Sequence, residues 1–266
     1  MKNERLFLII PAHNEEGRIE RTLISYSNYF SKKVKLKELN SFEIFVVLNN
    51  CSDGTLGVVK KVGKLFNEIK YVDLKPGGKG FAIIQGFKRS VEINDDELVG
   101  FVDADMATPP EAFYDLVRNI NNYDGIIASR WLNESKIITG QTILRKITSR
   151  GFNFLVRILF FISFRDTQCG AKLFKKSVIR EITPRLNLTK WAFDVNLLYL
   201  CKRFKFKVKE YPTVWEDIGD SKINLTKTPM QMFFGIIRLR LIYSPFSRIL
   251  VPLKFILKFG DKLVNK

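Results

Sequence analysis

Short apolar, β-branched runs alternate with longer amphipathic stretches through the first half of the chain. The runs have the length of single strands and cover residues 6–10, 42–48, 69–74, 98–102 and 125–128. Strands that alternate with helices predict an α/β fold with a mostly parallel sheet and helices on both faces. Because right-handed crossovers bring the carboxyl ends of parallel strands to one edge, we expect a ligand to bind at that edge.

The last part of the chain has a basic amphipathic pattern instead. Apolar residues recur at helical spacing from residue 230 to residue 253, with interruptions at Pro245 and Pro252. From Lys227 onward, eight basic residues stand against one acid, Asp261, a balance of +7. We expect a main domain at residues 1–227 and, at residues 228–266, amphipathic helices lying in a membrane interface with anionic lipids. The alternative is a helix pair packed on the main domain, or an oligomer contact.

The net charge predicts an anionic partner, and the lack of a long apolar stretch argues against a membrane-spanning protein. The 266 residues are 46% hydrophobic and carry 44 Lys and Arg against 27 acids, a formal net charge of +17. Nucleic acid, lipid headgroups and phosphorylated substrates all fit this charge. No stretch approaches the roughly 20 apolar residues that span a bilayer, so we expect no integral insertion.

The cysteines and the single histidine indicate no metal centre of their own. Cys51, Cys169 and Cys201 share no metal-ligand spacing and cannot all pair, which indicates a reducing, cytoplasmic setting. Cys169 is expected to be a small buried residue. His13 has no second His or Cys at ligand spacing, so we expect it to pack or to hydrogen-bond locally.

Two acids stand where the fourth apolar run ends, in "ELVGFVDADMATPPE", residues 97–111. Alternate side chains at a strand end point the same way, so Asp103 and Asp105 can converge on one Mg²⁺ or Mn²⁺ shared with a diphosphate. The alternative is that both acids are solvated turn residues or cap the helix that follows Pro109.

Three other segments strengthen the diphosphate interpretation. "FLIIPAHNEEGRIERTL" ends the first strand at Pro11 and starts a helix with acids in its first turn, and "VVLNNCSDGT" ends the second strand in a polar turn. "KPGGKGFAIIQGF" is a glycine-rich turn that leads into a helix. Backbone N–H groups of such a turn, together with Lys79, can bind phosphate oxygens.

In this order, the segments resemble the inverting glycosyltransferases of family 2, which have a Rossmann-like GT-A fold. "DADMAT", "ASRW", "RKITSRGFNFLV", "DTQCGAKLF" and "WAFDVNLL" look like the dolichyl-phosphate β-glucosyltransferase branch, near the dolichyl-phosphate mannose synthases. The resemblance implies transfer of a hexose, glucose or a related sugar, from a nucleotide-sugar donor, expected to be a UDP-sugar, to dolichyl or polyprenyl phosphate. It also implies a divalent cation, Mg²⁺ or Mn²⁺, and a peripheral protein at the cytoplasmic face of the cell membrane.

The resemblance assigns roles to individual residues. Those expected to bind the donor are Pro11, Ala12, Asn14, Glu15, Asn49, Lys79 and Asp103. Those expected to hold the cation are Asp103 and Asp105. Those expected at the acceptor phosphate are Arg130, Arg145, Ser149 and Lys222. Those expected at the reaction centre are Asp105, Asp166, Gln168 and Asp194.

Two departures from the family pattern concern the donor. Where the family often has "DDGS", this chain has "LNNC" at residues 48–51, so the amide of Asn49 replaces a carboxylate that would bind the base. This substitution leaves the identity of the base open. Ala107 stands where the mannose synthases carry a metal-ligand Gln, as it does in the glucosyl branch, and therefore favours that branch.

The chemistry of a phosphate acceptor agrees with these assignments. Arg145 and Ser149 are four residues apart, so on one helix they share a face and can hold one anion. A phosphate dianion is already deprotonated near neutral pH, so its attack needs positioning more than a general base. Asp194 therefore need not act as a base and can orient a sugar hydroxyl or an arginine. Alternatively, Arg145 lies on an ordinary solvated helix face, and Lys222 belongs to a mobile loop.

Two other functions remain open at this stage. A family 2 enzyme could act on a soluble saccharide or polymer, and a basic protein could bind a membrane or nucleic acid without catalysis. We expect no nucleic-acid partner, because the chain has no RNP-like segment and two carboxylates at the strand edge would repel phosphate without a metal.

Overall fold

A seven-stranded sheet forms the centre of the structure, a computed structural model that describes residues 4–93, 97–139, 143–186, 192–216, 218 and 227–244. The strands in chain order are β1 Arg5–Ala12, β2 Ser41–Asn49, β3 Ile69–Leu74, β4 Glu97–Phe101, β5 Gly125–Ser129, β6 Lys136–Ile137, β7 Lys172–Lys175, β8 Val208–Pro212 and β9 Val214–Trp215. The helices are α1 Ile19–Lys35, α2 Thr55–Gly63, α3 Lys79–Glu92, α4 Pro110–Asn119, α5 Ile143–Phe160, α6 Lys176–Ile182, α7 Phe193–Arg203 and α8 Lys227–Ile242.

The large sheet has the order β3-β2-β1-β4-β7-β5-β8, and β6 pairs with β9 in a separate two-stranded sheet. β7 is antiparallel to both of its neighbours, β4 and β5, whereas the other strand pairs are parallel. The prediction of a mostly parallel sheet is confirmed, and the five apolar runs correspond to β1 to β5. The reversal at β7 places Lys172 opposite Phe101, at the edge where β4 ends.

The sheet is covered on both faces because its central strands are apolar on both sides. In β1, Leu6, Leu8 and Ile10 pack in one core cluster with α1, α2 and α4, whereas Phe7 and Ile9 pack in a second cluster with α3, α6 and α7. All five side chains are essentially inaccessible to solvent. This two-sided burial is typical of a parallel sheet between two helix layers.

The first strand extends further than the sequence predicts. It ends at Ala12 instead of Pro11, and α1 begins at Ile19, so Glu15 and Glu16 precede the helix and Glu20 is the acid in its first turn. The main-chain carbonyl of Ile9 accepts a hydrogen bond from the N–H of Val102, so the main-chain polar groups of Ile9 point towards β4. Those of Pro11, two residues further along the strand, point the same way. Since the pairing of β1 with β4 ends at Ile9, the N–H that proline lacks would have had no strand partner.

Helices α5 and α8 pack together beside the main sheet. A third apolar cluster joins Val156 and Phe160 of α5 with Ile236 and Leu239 of α8. Other apolar side chains of α8 remain accessible; Phe233 and Phe234 are each 41% exposed. A helix is therefore present at Lys227–Ile242, and part of it contacts the rest of the protein. Its expected place in a membrane interface stays a prediction. Residues 245–266 lie outside the described part of the chain.

Candidate active site

The two predicted cation ligands lie in the loop that follows β4. Asp103 is partly exposed, and its carboxylate forms an ion pair of 2.5 Å with the ammonium group of Lys79. The carboxylate of Asp105 accepts the N–H of Ala107 at 3.0 Å. Burial, and then repulsion by Asp103, raises the pKa of Asp105 above its ordinary value. The charge of Asp103 thus disfavours ionisation of Asp105, an effect that a cation bound by both carboxylates would oppose.

Two side chains of helix α1 donate hydrogen bonds to main-chain carbonyls of this loop. The hydroxyl of Thr22 donates to the carbonyl of Ala104 at 2.7 Å, and the hydroxyl of Tyr26 donates to the carbonyl of Thr108 at 2.8 Å. Both side chains are fully buried and lie four residues apart on one face of the helix. Sequence reasoning missed this support, because a Thr and a Tyr in a helix carry no signal of what they contact.

The glycine-rich turn is tied to the ends of β1 and β2 by Asn49. Its side-chain amide accepts the N–H of Gly78 at 2.9 Å and donates to the carbonyl of Ala12 at 2.8 Å. Gly78 has a φ of +122°, a backbone conformation that residues other than glycine rarely adopt. Asn49 is 2% exposed, and its amide binds main chain at both ends. Its expected role in reading the base stays a prediction.

The polar turn after β1 packs against the turn after β2. Asn14 accepts the N–H of Ser52 at 2.8 Å through its side-chain oxygen. The N–H of Glu15 donates to the hydroxyl of Thr55 at 2.8 Å, and the Glu15 carboxylate binds Arg18 through two hydrogen bonds of 2.6 and 3.0 Å. The predicted donor residues therefore gather at one sheet edge, where Pro11 and Ala12 also end β1.

His13 has the local role that the sequence predicts. Its Nδ1 lies 2.8 Å from the carbonyl oxygen of Asn49, so the ring bridges the ends of β1 and β2. The prediction of a small buried residue at position 169 is also confirmed. Burial raises the pKa of the Cys169 thiol to about 11, which keeps it protonated and unreactive.

Arg130 and Asp166 form a buried ion pair on the other side of the site. The guanidinium donates to both carboxylate oxygens, at 2.7 and 3.0 Å, and the Arg130 main-chain N–H donates to Asp166 at 3.0 Å. Burial opposes ionisation of Asp166, yet Arg130 holds its pKa below the ordinary value. The main-chain N–H groups of Gln168 and Cys169 also donate to Asp166, at 3.2 and 3.1 Å. Asp166 therefore orients Arg130 and the following turn.

The guanidinium of Arg130 is further held by aromatic rings. Its central carbon lies 5.3 Å from the ring centroid of Trp215 and 5.9 Å from that of Trp131. Arg150, on α5, lies 5.0 Å from the Trp131 ring and brings a second guanidinium to that indole. Because Arg130 keeps donors that Asp166 does not use, the arrangement offers a fixed cation for an anionic substrate.

Asp194 lies in the first turn of α7 and binds the buried Lys172 at 2.7 Å. Although burial opposes the charge of Lys79, Asp103 and Asp194 raise its pKa above the ordinary value. Phe193, the residue before Asp194, lies directly against Gly80, the residue after Lys79, so Asp194 lies near the predicted donor residues. Lys172 itself was not predicted.

One short segment, residues 166–172, connects these groups. Asp166 binds Arg130, Lys172 binds Asp194, and Gly170 lies directly against Asp103. A methyl group at position 170 would lie 2.1 Å from a carboxylate oxygen of Asp103, so only glycine fits without a shift. The segment thus relates the predicted donor side to the predicted acceptor side.

Other predicted acceptor residues are only partly described. Arg145 and Ser149 both belong to α5, as the sequence predicts, and Ser149 is half-buried. The side chain of Arg145 and the whole of Lys222 lie outside the described residues. Gln168 is half-buried and faces α8, where its amide lies 4.0 Å from the sulfur of Met232.

A divalent cation fits the chemistry of Asp103 and Asp105. Carboxylate oxygens are the ligands that Mg²⁺ and Mn²⁺ prefer, and the repulsion between the two groups would be relieved by a cation. Within the described residues, no group of three or more His, Cys, Asp and Glu side chains is placed to hold a metal ion. Because Mg²⁺ usually keeps several waters and binds through one or two carboxylates plus substrate phosphates, a cation on these two carboxylates would have further ligands from substrate and water.

Comparison with known proteins identifies the family. The model of glycosyl transferase family 2 matches residues 7–183, more than half of the chain. The chain belongs to glycosyl transferase family 2. It is therefore a glycosyltransferase, as the sequence motifs predict.

Curated relatives of this family 2 glycosyltransferase include several enzymes named for one activity. The dolichyl-phosphate beta-glucosyltransferase of Dictyostelium discoideum is 31% identical over 250 residues, 91% of this chain and 75% of that protein. The enzyme of the same name from Drosophila melanogaster is 33% identical over 239 residues, 85% of this chain and 72% of that protein. The human one is 30% identical, with 90% of this chain and 76% of that protein covered.

Solved structures confirm the GT-A fold of this family 2 member. Glucosyl-3-phosphoglycerate synthase from Mycobacterium tuberculosis, in complex with UDP, matches with a TM-score of 0.62 at 16% identity, covering 91% of this chain and 82% of that one. The same synthase in complex with Mn²⁺, UDP-glucose and phosphoglyceric acid matches with a TM-score of 0.58 at 16% identity, covering 91% of this chain and 81% of that one. At this identity the likeness concerns the fold.

Proposed function

We propose that this chain transfers glucose from UDP-glucose to dolichyl phosphate or a related polyprenyl phosphate. The observation that carries the proposal is the presence of two cationic side chains in one site, Lys79 beside the carboxylates and the buried Arg130. Burial opposes the charge of both side chains, but Asp103 chiefly raises the pKa of Lys79, and Asp166 chiefly raises that of Arg130. A glucosyl transfer between two phosphates needs such a pair, one for the leaving diphosphate and one for the acceptor.

The donor end of the site is proposed to hold the UDP moiety. Lys79 and the N–H groups at the start of α3 would bind diphosphate oxygens, while the turns at Asn14 and Glu15 would flank the nucleoside. When a divalent cation is bound by Asp103 and Asp105, it supplies positive charge that stabilises the leaving diphosphate. Support for UDP and Mn²⁺ comes from the structural neighbour that holds both.

At the acceptor end, Arg130 would bind the lipid phosphate and aim one of its oxygens at the anomeric carbon. Attack from the face opposite the leaving group forms the new C–O bond as the bond to UDP breaks, with inversion. Asp166 keeps the guanidinium in place, and its five hydrogen bonds to Arg130, Gln168 and Cys169 leave it no free role as a base. Arg145, Ser149 and Lys222 are proposed as further ligands of the phosphate.

The lipid acceptor requires the site to reach a bilayer. Among the described residues, no helix is both long enough and apolar enough to cross a membrane. We propose that residues 228–266 hold the protein peripherally on anionic lipids at the cytoplasmic face. Met230, Phe233 and Phe234 of α8 are 41–52% exposed, and Phe154 and Ile158 of α5 are 64% and 52% exposed. These side chains offer an apolar surface next to the basic residues of both helices.

The decisive experiment is a transfer assay with the purified chain and labelled UDP-glucose. Dolichyl phosphate in detergent should accept label into an organic-extractable, acid-labile product, and dolichol without phosphate should not. Labelled GDP-mannose serves as the donor control, and 3-phosphoglycerate and simple saccharides as soluble acceptors. Label in a soluble product, with none in lipid, would contradict the proposed acceptor.

A further inference from the structure

Lys172 is a fully buried charge at the active edge of the sheet. It is the first residue of β7, and its side chain is 0% exposed. Lysine is rarely buried completely unless it is paired, because removing an ammonium group from water is costly. Neither the sequence motifs nor the proposed reaction assigns it a role.

The contacts of Lys172 point towards the site. Its ammonium donates to the carboxylate of Asp194 at 2.7 Å and to the carbonyl of Cys169 at 2.6 Å. It also lies 5.4 Å from the ring centroid of Phe101, at the end of β4. The first contact holds a side chain of α7, and the second holds the main chain between Gln168 and Gly170.

Asp194 keeps part of its surface open despite this bond. Its side chain is 15% exposed, and Lys172 binds the oxygen Oδ1. Among the residues that the structure describes, no donor binds the other oxygen, which leaves it available to a substrate group that donates a hydrogen bond. Within the proposed substrates, the hydroxyls of the hexose, those of the ribose and the N–H of uracil are such donors, whereas the diphosphate and the acceptor phosphate dianion are not. Because the nucleoside is proposed to lie at the turns of Asn14 and Glu15, the hexose is the donor left for Asp194.

We infer that Lys172 is a positioning residue, which holds Asp194 with one oxygen turned to a hydroxyl of the transferred hexose. The inference rests on the proposed function, since it takes the hexose as substrate. Lys172 acts through Asp194 and does not itself touch the sugar, because it is fully buried. The competing explanation is that Lys172 stabilises only the fold.

A double-mutant cycle separates the two explanations. Lys172→Met, Asp194→Asn and the double variant are compared with the unaltered chain in the transfer assay. Displacing a positioned group by about 1 Å can lower a rate on the order of 10²-fold, so each single variant should lose about that much in kcat. The kcat of the double variant should lie within about twofold of the kcat of Asp194→Asn, because about twofold is the accuracy to which independent effects add.

A second readout does not depend on the acceptor. The ratio of the affinities for UDP-glucose and UDP, measured by calorimetry, isolates the contribution of the sugar. Lys172→Met and Asp194→Asn should each lower this ratio, and the double variant should lower it no further. A change in the fold alone would weaken both ligands together and leave the ratio unchanged.

Lys176→Met is the matched control. Lys176 is also a buried lysine that donates to a main-chain carbonyl, that of Ile93, but it lies beyond the far end of β7. Its replacement should lower the thermal midpoint while kcat stays within about twofold of the unaltered chain. If Lys172→Met does not fold, Lys172→Gln takes its place in both measurements, because an amide keeps a donor for the carbonyl of Cys169 and removes the charge that holds Asp194.

The inference is overturned if Lys172→Met lowers kcat as strongly in the Asp194→Asn background as in the unaltered chain. It is also overturned if Lys172→Met keeps full kcat and an unchanged ratio of affinities. Failure of the proposed function is a separate result, visible in the unaltered chain when dolichyl phosphate accepts no glucose. The cycle is then decided by the ratio of affinities alone.

Discussion

Gly170→Ala tests the close approach between the segment 166–172 and Asp103. The new methyl group would lie 2.1 Å from one carboxylate oxygen of Asp103 and 2.5 Å from the carboxyl carbon. Ordinary contacts of a Cβ begin near 3.4 Å, so the carboxylate has to move by about 1 Å, enough to cost on the order of 10²-fold in rate. That loss corresponds to about 2.7 kcal/mol of transition-state stabilisation.

Stability should change far less than activity. The Asp103 side chain is 35% exposed and can turn towards solvent, which breaks its ion pair with Lys79. An ion pair this exposed contributes about 0–1 kcal/mol after solvent screening. We therefore expect Gly170→Ala to lower kcat strongly and to raise the cation concentration needed for half-maximal rate, with little change in the free energy of unfolding.

The assay combines transfer kinetics over a Mn²⁺ titration with urea unfolding. Gly57→Ala is the control, since Gly57 lies in α2 and a methyl group there meets nothing within 4 Å. It should leave kcat unchanged and raise stability by up to about 1 kcal/mol, the difference in helix propensity between the two residues. The reasoning is refuted if Gly170→Ala keeps full kcat and cation dependence, or if its loss of activity only follows a loss of folded protein.

Three further predictions address the cation, the buried ion pair and the membrane. Asp105→Ala should abolish cation-dependent transfer with little loss of stability. The control Glu92→Ala, at an exposed acid on α3, should change neither transfer nor stability. Transfer by Asp105→Ala in the presence of a chelator would contradict the prediction. Because Arg130 lowers the pKa of Asp166, the pair stabilises the fold above about pH 4 and loses its effect as pH falls through the lower folded-state pKa. Asp166→Asn should cost about 3–5 kcal/mol at neutral pH and flatten the acid side of the stability profile; an unchanged profile in urea unfolding would refute the role of the pair. Residues 245–266 carry five basic residues against one acid, so their removal should weaken sedimentation of the protein with anionic liposomes. High salt should release the full chain from the liposomes only in part. Equal sedimentation of the full and the shortened chain would place the membrane contact elsewhere.

The parts of the fold that could be predicted are those with two-sided burial. The runs that became β1 to β5 are apolar and β-branched because helices cover both faces of the sheet. The sequence did not predict β7, because this strand has only two apolar residues, Leu173 and Phe174, with a lysine on each side of them. A charged residue at a strand end normally indicates exposure to solvent. The ion pair of Lys172 with Asp194 and its hydrogen bond to the carbonyl of Cys169 make its burial possible.

The site shows the same division between local and tertiary signals. Asp103 and Asp105 could be predicted because a strand end followed by two acids is a local pattern. Gly170 could not, because its role comes from a contact with a residue far away in the chain. In α8 the periodicity indicated a helix, but it could not tell that Ile236 and Leu239 would pack against α5 while Phe233 stays accessible.

The three contacts of the segment 166–172 also determine how many residues it can contain. Asp166 is held at one end by Arg130, Lys172 at the other by Asp194, and Gly170 lies against Asp103 between them. An inserted or deleted residue would break at least one of these contacts, because none of the partners belongs to the segment and could shift with it. The exposed turn at residues 121–122, by contrast, should accept added residues. This short segment therefore works as a spacer of fixed length, and insertion scanning should find it the least tolerant loop of the active edge.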